Sequence, residues 1–290
     1  MARKNNKTAE IETGFDMNAL SALLETSTAE LETSAEELAA AEDARKSDEE
    51  LLAQLEAAEE AANEDQAEDE DDTEEETAEL DEVEHVEGDL DLMTEAVSAD
   101  DVVAMAATVK FAFEDRADAE RRKNPDNESI QKSLNKSRSK IAGNAAVAVL
   151  VATAIDPDFI NRSISQGNSY NVYAIDKFAD IMSGLTGSGL KNAINIAVMK
   201  SMFKFRAAGV EFTGEMAKAA ASQNIKVSAS LNGLLTRHTV SPSTAPTQAS
   251  STMQALQTAG VVINKGSQKY PLYQLTDTPQ TRKLQEVLAA

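Results

Sequence analysis

From Glu64 to Asp91 nearly every residue is Asp, Glu, Thr or Ala, and Leu80, Val83 and Val86 are the only large apolar side chains before Leu90. Ordering a backbone costs about 1–2 kcal/mol per residue, and this stretch has almost no apolar surface to set against that cost. The tract should be disordered, which divides the 290-residue chain before any motif is considered. The charge divides in the same place. Residues 1–100 hold 35 Asp and Glu against 5 Lys and Arg, a balance of −30. Residues 101–290 hold 22 Lys and Arg against 15 Asp and Glu, a balance of +7. The whole-chain charge of −23 therefore conceals a mildly cationic body behind an anionic arm. Such an arm is a tethered competitor for any anion the body binds.

Several chemistries are disfavoured at once. Without cysteine there is no disulfide framework, thiolate nucleophile or Cys-based zinc site, which fits a reducing, cytoplasmic setting. The strongest apolar run, Ala145–Ile155, covers 11 residues, well short of the roughly 20 that cross a bilayer. The basic start, Met1–Lys7, leads into polar sequence, unlike a secretory signal. His85 and His238 are too far apart in sequence to make a metal or catalytic signature, and no nucleophile–base arrangement or EF-hand loop is present. Gly184–Lys191 has P-loop flavour, but Leu190 separates the last glycine from the lysine and Asn192 follows, so it reads as a helix linker. No enzyme, metal or cofactor is expected.

Periodicity makes the chain mainly α. Leu24, Leu31, Leu38 and Leu52 follow a heptad that Arg45 interrupts, and the alternate seam is small or polar, so residues 18–62 predict weak helices inside an acidic arm of residues 1–91. A helical core is expected over 92–185. Ser98 caps a helix with the stripe Val102, Met105, Ala106, Val109 and Phe113, ending at Arg121-Arg122-Lys123. Lys132, Lys136 and Lys140 stack on one face of the next helix. Ala145–Ile155, apolar on all sides, is expected to be the central helix. Asn171 caps another helix that Gly184 closes, with Tyr170 stapling onto Ile175, and Ser188 starts a helix to about Ala208.

In residues 186–290 the period changes. Short helices at Thr213–Ala220 and Ser228–Leu235 precede a flexible Ser241–Thr247, a helix over Ser250–Gly260, and alternating strands at Val261–Ile263 and Tyr270–Leu275. A last helix begins near Pro279. The order of helices and hairpin, with Ser250–Val262 followed by Tyr273-Gln-Leu-Thr276, resembles the winged helix-turn-helix fold over the last 80–100 residues. The resemblance implies a recognition helix presenting Gln248, Ser251, Thr252 and Gln254 to base edges and phosphates, with Lys265 and Lys269 of the wing on the backbone. Arg121, Arg122, Lys132 and Lys136 are the further candidate cations. The expectation is a non-enzymatic nucleic-acid-binding regulator or packaging factor, with DNA before RNA as partner and no membrane partner. A protein partner for the acidic arm and a homo-oligomer are secondary expectations. The composition, rich in Ala, Ser, Thr and Asn, is similar to that of phage proteins as a class, which would add a virion to the expected locations. The alternative is a virion or scaffold-like assembly protein that self-associates through its helices.

Overall fold

Order begins ahead of the expected boundary at Leu92. The computed structural model describes residues 86–161 and 170–289, all of which fall in one compact unit. Asp89 caps α1 (Leu90–Glu95), its Oδ1 accepting from the amides of Asp91 and Leu92 at 2.8 and 3.2 Å. Leu90 is buried, and the Arg282 guanidinium donates to the carbonyls of Val86 and Gly88, both at 2.9 Å. A cation nearly two hundred residues away thus supplies what the local composition lacks. Of the disorder expected over 1–17 and 63–90, residues 86–90 are instead ordered, held by Arg282 and the start of α1; the rest of it, the weak helices over 18–62 and His85 lie outside the described residues. A chain starting at residue 86 should keep full thermal stability. One starting at residue 92 should lose about 3 kcal/mol with the Leu90 burial and the Arg282 bonds. Equal melting of the two would contradict this docking.

Local signals account for the next helices. α2 (Ala99–Lys123) starts where Ser98 Oγ accepts from the Asp101 amide at 3.1 Å and ends on its three cations. Asn127 caps α3 (Glu128–Ile141) through the Ile130 amide at 3.2 Å. α4 (Asn144–Ala152) is shorter than the apolar run, because Ala154 turns into the left-handed region at φ 52° before Asp156-Pro157 and a 3-10 turn (Pro157–Asn161).

α4 is not the central helix. Ala146, Val147, Val149 and Leu150 are buried while Ala145 is exposed, so one side remains near solvent. The centre is α5 (Val172–Leu185), buried at twelve positions. It packs on α3, α4, α9 (Ala245–Thr258) and α10 (Pro279–Ala289). Hydrophobicity alone ranked α4 first, but burial follows the number of packed neighbours, and α5 has them on several sides. Because α5 touches both groups of elements, residues 92–185 and 186–290 share one core. Asn171 caps it as expected, and Tyr170 meets the Phe159 ring at 4.9 Å. Gly184 does not close α5. It lies within the helix, where a Cβ would come 2.9 Å from Leu190 and 3.1 Å from Leu284, so it is a glycine of close packing.

α6 (Ala193–Ala207) is capped by Asn192, four residues after the expected cap Ser188, because a buried polar layer claims the linker. Asp180 Oδ1 accepts from the amides of Lys191 and Asn192 at 2.9 and 3.1 Å, and Oδ2 accepts from Asn195 Nδ2 at 3.0 Å. Asn192 then caps α6 and receives Lys177 Nζ at 2.9 Å. Burial lowers the Lys177 ammonium from its ordinary 10.5 to about 8, against the opposing pull of Asp176 and Asp180. Below pH 8 both folded and unfolded chains hold the proton, and the folded chain bears the whole cost of the buried charge. Between about 8 and 10.5 the unfolded chain binds more protons, so this group's contribution to stability rises with pH. Lys177→Met should abolish that rise in denaturant unfolding measured from about pH 8 to 10. Identical pH dependence in wild type and variant would contradict it.

The C-terminal elements complete the unit. β1 (Phe212–Thr213) leads into α7 (Gly214–Ala221), then the short α8 (Ala229–Asn232), α9, and the strands β2 (Val262–Asn264) and β3 (Leu272–Leu275). β1 and β2 flank β3, both antiparallel, with Phe212 opposite Tyr273 and Val262 opposite Leu275. Two residues of β1 are too short for an alternating pattern to reveal. Nor is Ser241–Thr247 a flexible linker. Ser241 Oγ accepts from the Thr244 amide at 3.3 Å and α9 starts at Ala245, with Pro246 in its first turn.

Candidate nucleic-acid interface

The cationic excess of the body is local. Residues 186–290 hold 11 Lys and Arg against 4 Asp and Glu, whereas residues 101–185 hold 11 against 11. The candidates Arg121, Arg122, Lys132 and Lys136 belong to the balanced half. Arg121 donates to Asp118 at 2.6 Å and to Gln131 at 3.4 Å, and Lys132 lies 3.6 Å from Glu128. Lys136 also has a partner, Arg122 is exposed, and nearby Arg138 meets Glu114 at 2.8 Å. Exposed pairs of this kind add little stability, but they cancel the field that would draw a polyanion. α2 and α3 pack on each other, on α4 and with α5 or the 3-10 turn, so this group is not part of the hairpin region.

The helix chosen as the reading element forms, but on another face. α9 packs against α5, α6 and α7, and this buries Gln248, Ser251 and Thr252. Asn171 Nδ2 donates to Ser251 Oγ at 3.2 Å, and Thr252 Oγ1 donates to Asn195 Oδ1 at 3.0 Å. The Gln248 amide is enclosed with no hydrogen-bond partner. A base edge cannot reach these three. Gln254 is half-exposed, and Thr247, Ser250 and Gln257 share its side of the helix at helical spacing. That side is uncharged and rich in hydroxyl and amide groups. Alanine-rich helices give a weak phase signal: Ala249, Ala255 and Ala259 are as buried as Met253 and Leu256.

The hairpin connection is rigid for its length. Asn264 Oδ1 accepts from the amides of Gly266 and Leu272, both at 3.0 Å, and the Lys265 amide donates to the Leu272 carbonyl at 2.8 Å. A Cβ at Gly266 would sit 2.2 Å from the Tyr270 carbonyl oxygen, so only glycine fits the turn. Lys265 is half-exposed and Lys269 exposed, its Nζ 5.7 Å from the centre of the Tyr270 ring. Lys265 also lines a cavity of about 400 Å³ with Arg206, Tyr273, Glu211 and Asp277. Burial raises the Tyr273 hydroxyl above its usual range. With both signs of charge on its wall, the cavity has no clear preference for an anion.

Among the described residues no three His, Cys, Asp or Glu side chains gather as metal ligands, and no helix is long and apolar enough to cross a membrane. Compared with protein-family models, curated proteins and solved structures, the chain matches none.

Proposed function

We propose that this protein binds nucleic acid, duplex DNA before RNA, as a non-enzymatic regulator or packaging factor acting in the cytoplasm or in a virion. Residues 186–290 would form a winged helix-turn-helix-like module. One conjunction carries the reading. The order α6, β1, α7, α8, α9, β2–β3 resembles that of a winged helix-turn-helix with one added short helix, and the same stretch belongs to the part of the chain that holds its cationic excess. On this reading α9 presents Thr247, Ser250, Gln254 and Gln257. Glutamine amides pair with adenine, and hydroxyls bond to phosphate or to several bases. Lys265 and Lys269 reach phosphates from the wing. The acidic arm competes for the same cations.

Changing Lys265 and Lys269 together to Ala in the full-length protein tests the module. Binding to unrelated duplexes should weaken about equally, and the dependence of log K on log salt should flatten by about 1.8, two phosphate contacts' worth. Unchanged affinity and slope would contradict the reading.

A specific observation favours a second reading, self-assembly. On α2, Val103 and Phe111 are 70% and 69% exposed, and Ala107 lies exposed between them on the same side. Association through such a stripe persists in high salt and is abolished by Phe111→Glu, which sedimentation would detect.

A further inference from the structure

The connection from α7 to α9, residues 222–244, is far longer than the 3–4-residue turn of a helix-turn-helix. It does not hang loose. An isolated bridge pairs Ser222 with Thr239, and the Gln223 and His238 amides donate to the His238 and Ala220 carbonyls at 2.8 and 2.9 Å. Ser201 Oγ of α6 accepts from the Thr236 amide at 2.9 Å, and Lys204 Nζ donates to Thr236 Oγ1 at 3.0 Å. Arg237 Nη1 donates to the carbonyls of Gln223 and Ile225 at 2.9 and 3.0 Å, which sets the guanidinium beside Lys226 in the chain. Lys200 precedes Lys204 by one turn of α6. These contacts join Lys200, Lys204, Arg237 and Lys226 into one continuous region. Among the described residues none of the four has an ion-pair partner. Arg237 Nε and Nη2 are enclosed without a hydrogen-bond partner and Nη1 is held by two carbonyls, so Arg237 gives the region its charge while Lys200, Lys204 and Lys226 are the cations a phosphate can reach.

We propose that the α7–α9 connection and the adjoining side of α6 form a second nucleic-acid surface, separate from the hairpin, that holds the phosphodiester backbone. This rests on the function proposed above. Charge complementarity and the surface chemistry both favour phosphate over an acidic protein. Protein interfaces are anchored by aromatic or aliphatic side chains, and none of the large exposed apolar residues, such as Val210 or Tyr270, lies within this region. Hydroxyls from Ser228, Ser230 and Thr236 stand among the cations and can donate to phosphate oxygens. A long connection folded into a fixed cationic ridge lengthens the track of a backbone across the module without adding base contacts.

The test uses the full-length protein and a duplex of mixed sequence, with affinity measured by fluorescence anisotropy over a salt series. Lys200→Ala/Lys204→Ala/Lys226→Ala should flatten the slope of log K against log salt by about 2 to 3, in addition to the loss from the hairpin lysines. Lys200→Gln/Lys226→Gln spares the Lys204–Thr236 bond, keeps the wild-type circular dichroism and melting curve, and should flatten it by about 1.8. If that folded variant keeps the wild-type slope while Lys265→Ala/Lys269→Ala lowers it, the second surface is overturned and the module's function stands. If no form binds nucleic acid at low salt, the function itself fails and this surface with it. If polyglutamate binding is lost in the Gln variant while its duplex slope is unchanged, the partner is an acidic protein and the proposal is overturned.

Discussion

Asp180→Ala should cost about 3–5 kcal/mol, a large share of the roughly 5–15 kcal/mol that keeps an ordinary domain folded. The carboxylate is 4% exposed and accepts three hydrogen bonds, from the Lys191 and Asn192 amides and from Asn195 Nδ2. Its removal leaves those donors unpaired and takes away a charge that offsets the buried Lys177 ammonium. The damage spreads because the layer is shared by three helices: Asn195 holds the Lys177 carbonyl at 3.1 Å and receives Thr252 Oγ1 from α9. Pairing the change with Lys177→Met should recover a large part of the loss, since an apolar side chain replaces an unpaired charge. Denaturant unfolding of the single and double variants would check it. Wild-type stability in the single variant would mean that the layer is not an anchor of the fold.

That layer also marks the limit of what the sequence discloses. Helix starts at Ser98 and Asn171 are legible because each cap bonds to an amide only three residues on. The start of α6 is not, because Asp180 claims the Lys191 and Asn192 amides from another helix. The glycines at 184 and 187 both sit near a helix end, and only packing against Leu190 and Leu284 tells that Gly184 lies inside one. The hairpin was legible from alternation and a glycine turn, and its third strand was too short to leave a pattern. For the candidate interface, the helix itself was legible, but which of its sides is buried was not. Gln248, Ser251 and Thr252 are polar, yet neighbours on α5 and α6 hold Ser251 and Thr252 in the core. Polarity alone could not tell a buried network from a reading surface.

The second large effect concerns the two halves of the charge. On the proposed function, the anionic residues 1–85 act as a tethered competitor at an effective concentration of roughly millimolar, which suppresses the affinity of the body for an external polyanion. Binding of nucleic acid to the full-length protein then displaces one polyanion with another, so fewer counterions are released and salt matters less. Removing residues 1–85, and leaving Val86 and Gly88 in place for Arg282, should expose the full response.

A salt titration of duplex binding, with the full-length chain beside residues 86–290, therefore shows whether the arm competes with nucleic acid for the body's cations. Circular dichroism first establishes that the shorter chain is folded. Residues 86–290 should bind at least tenfold more tightly at low salt and lose affinity more steeply as salt rises. A folded 86–290 fragment with no affinity for DNA or RNA at low salt would contradict this expectation and leave self-assembly as the better reading.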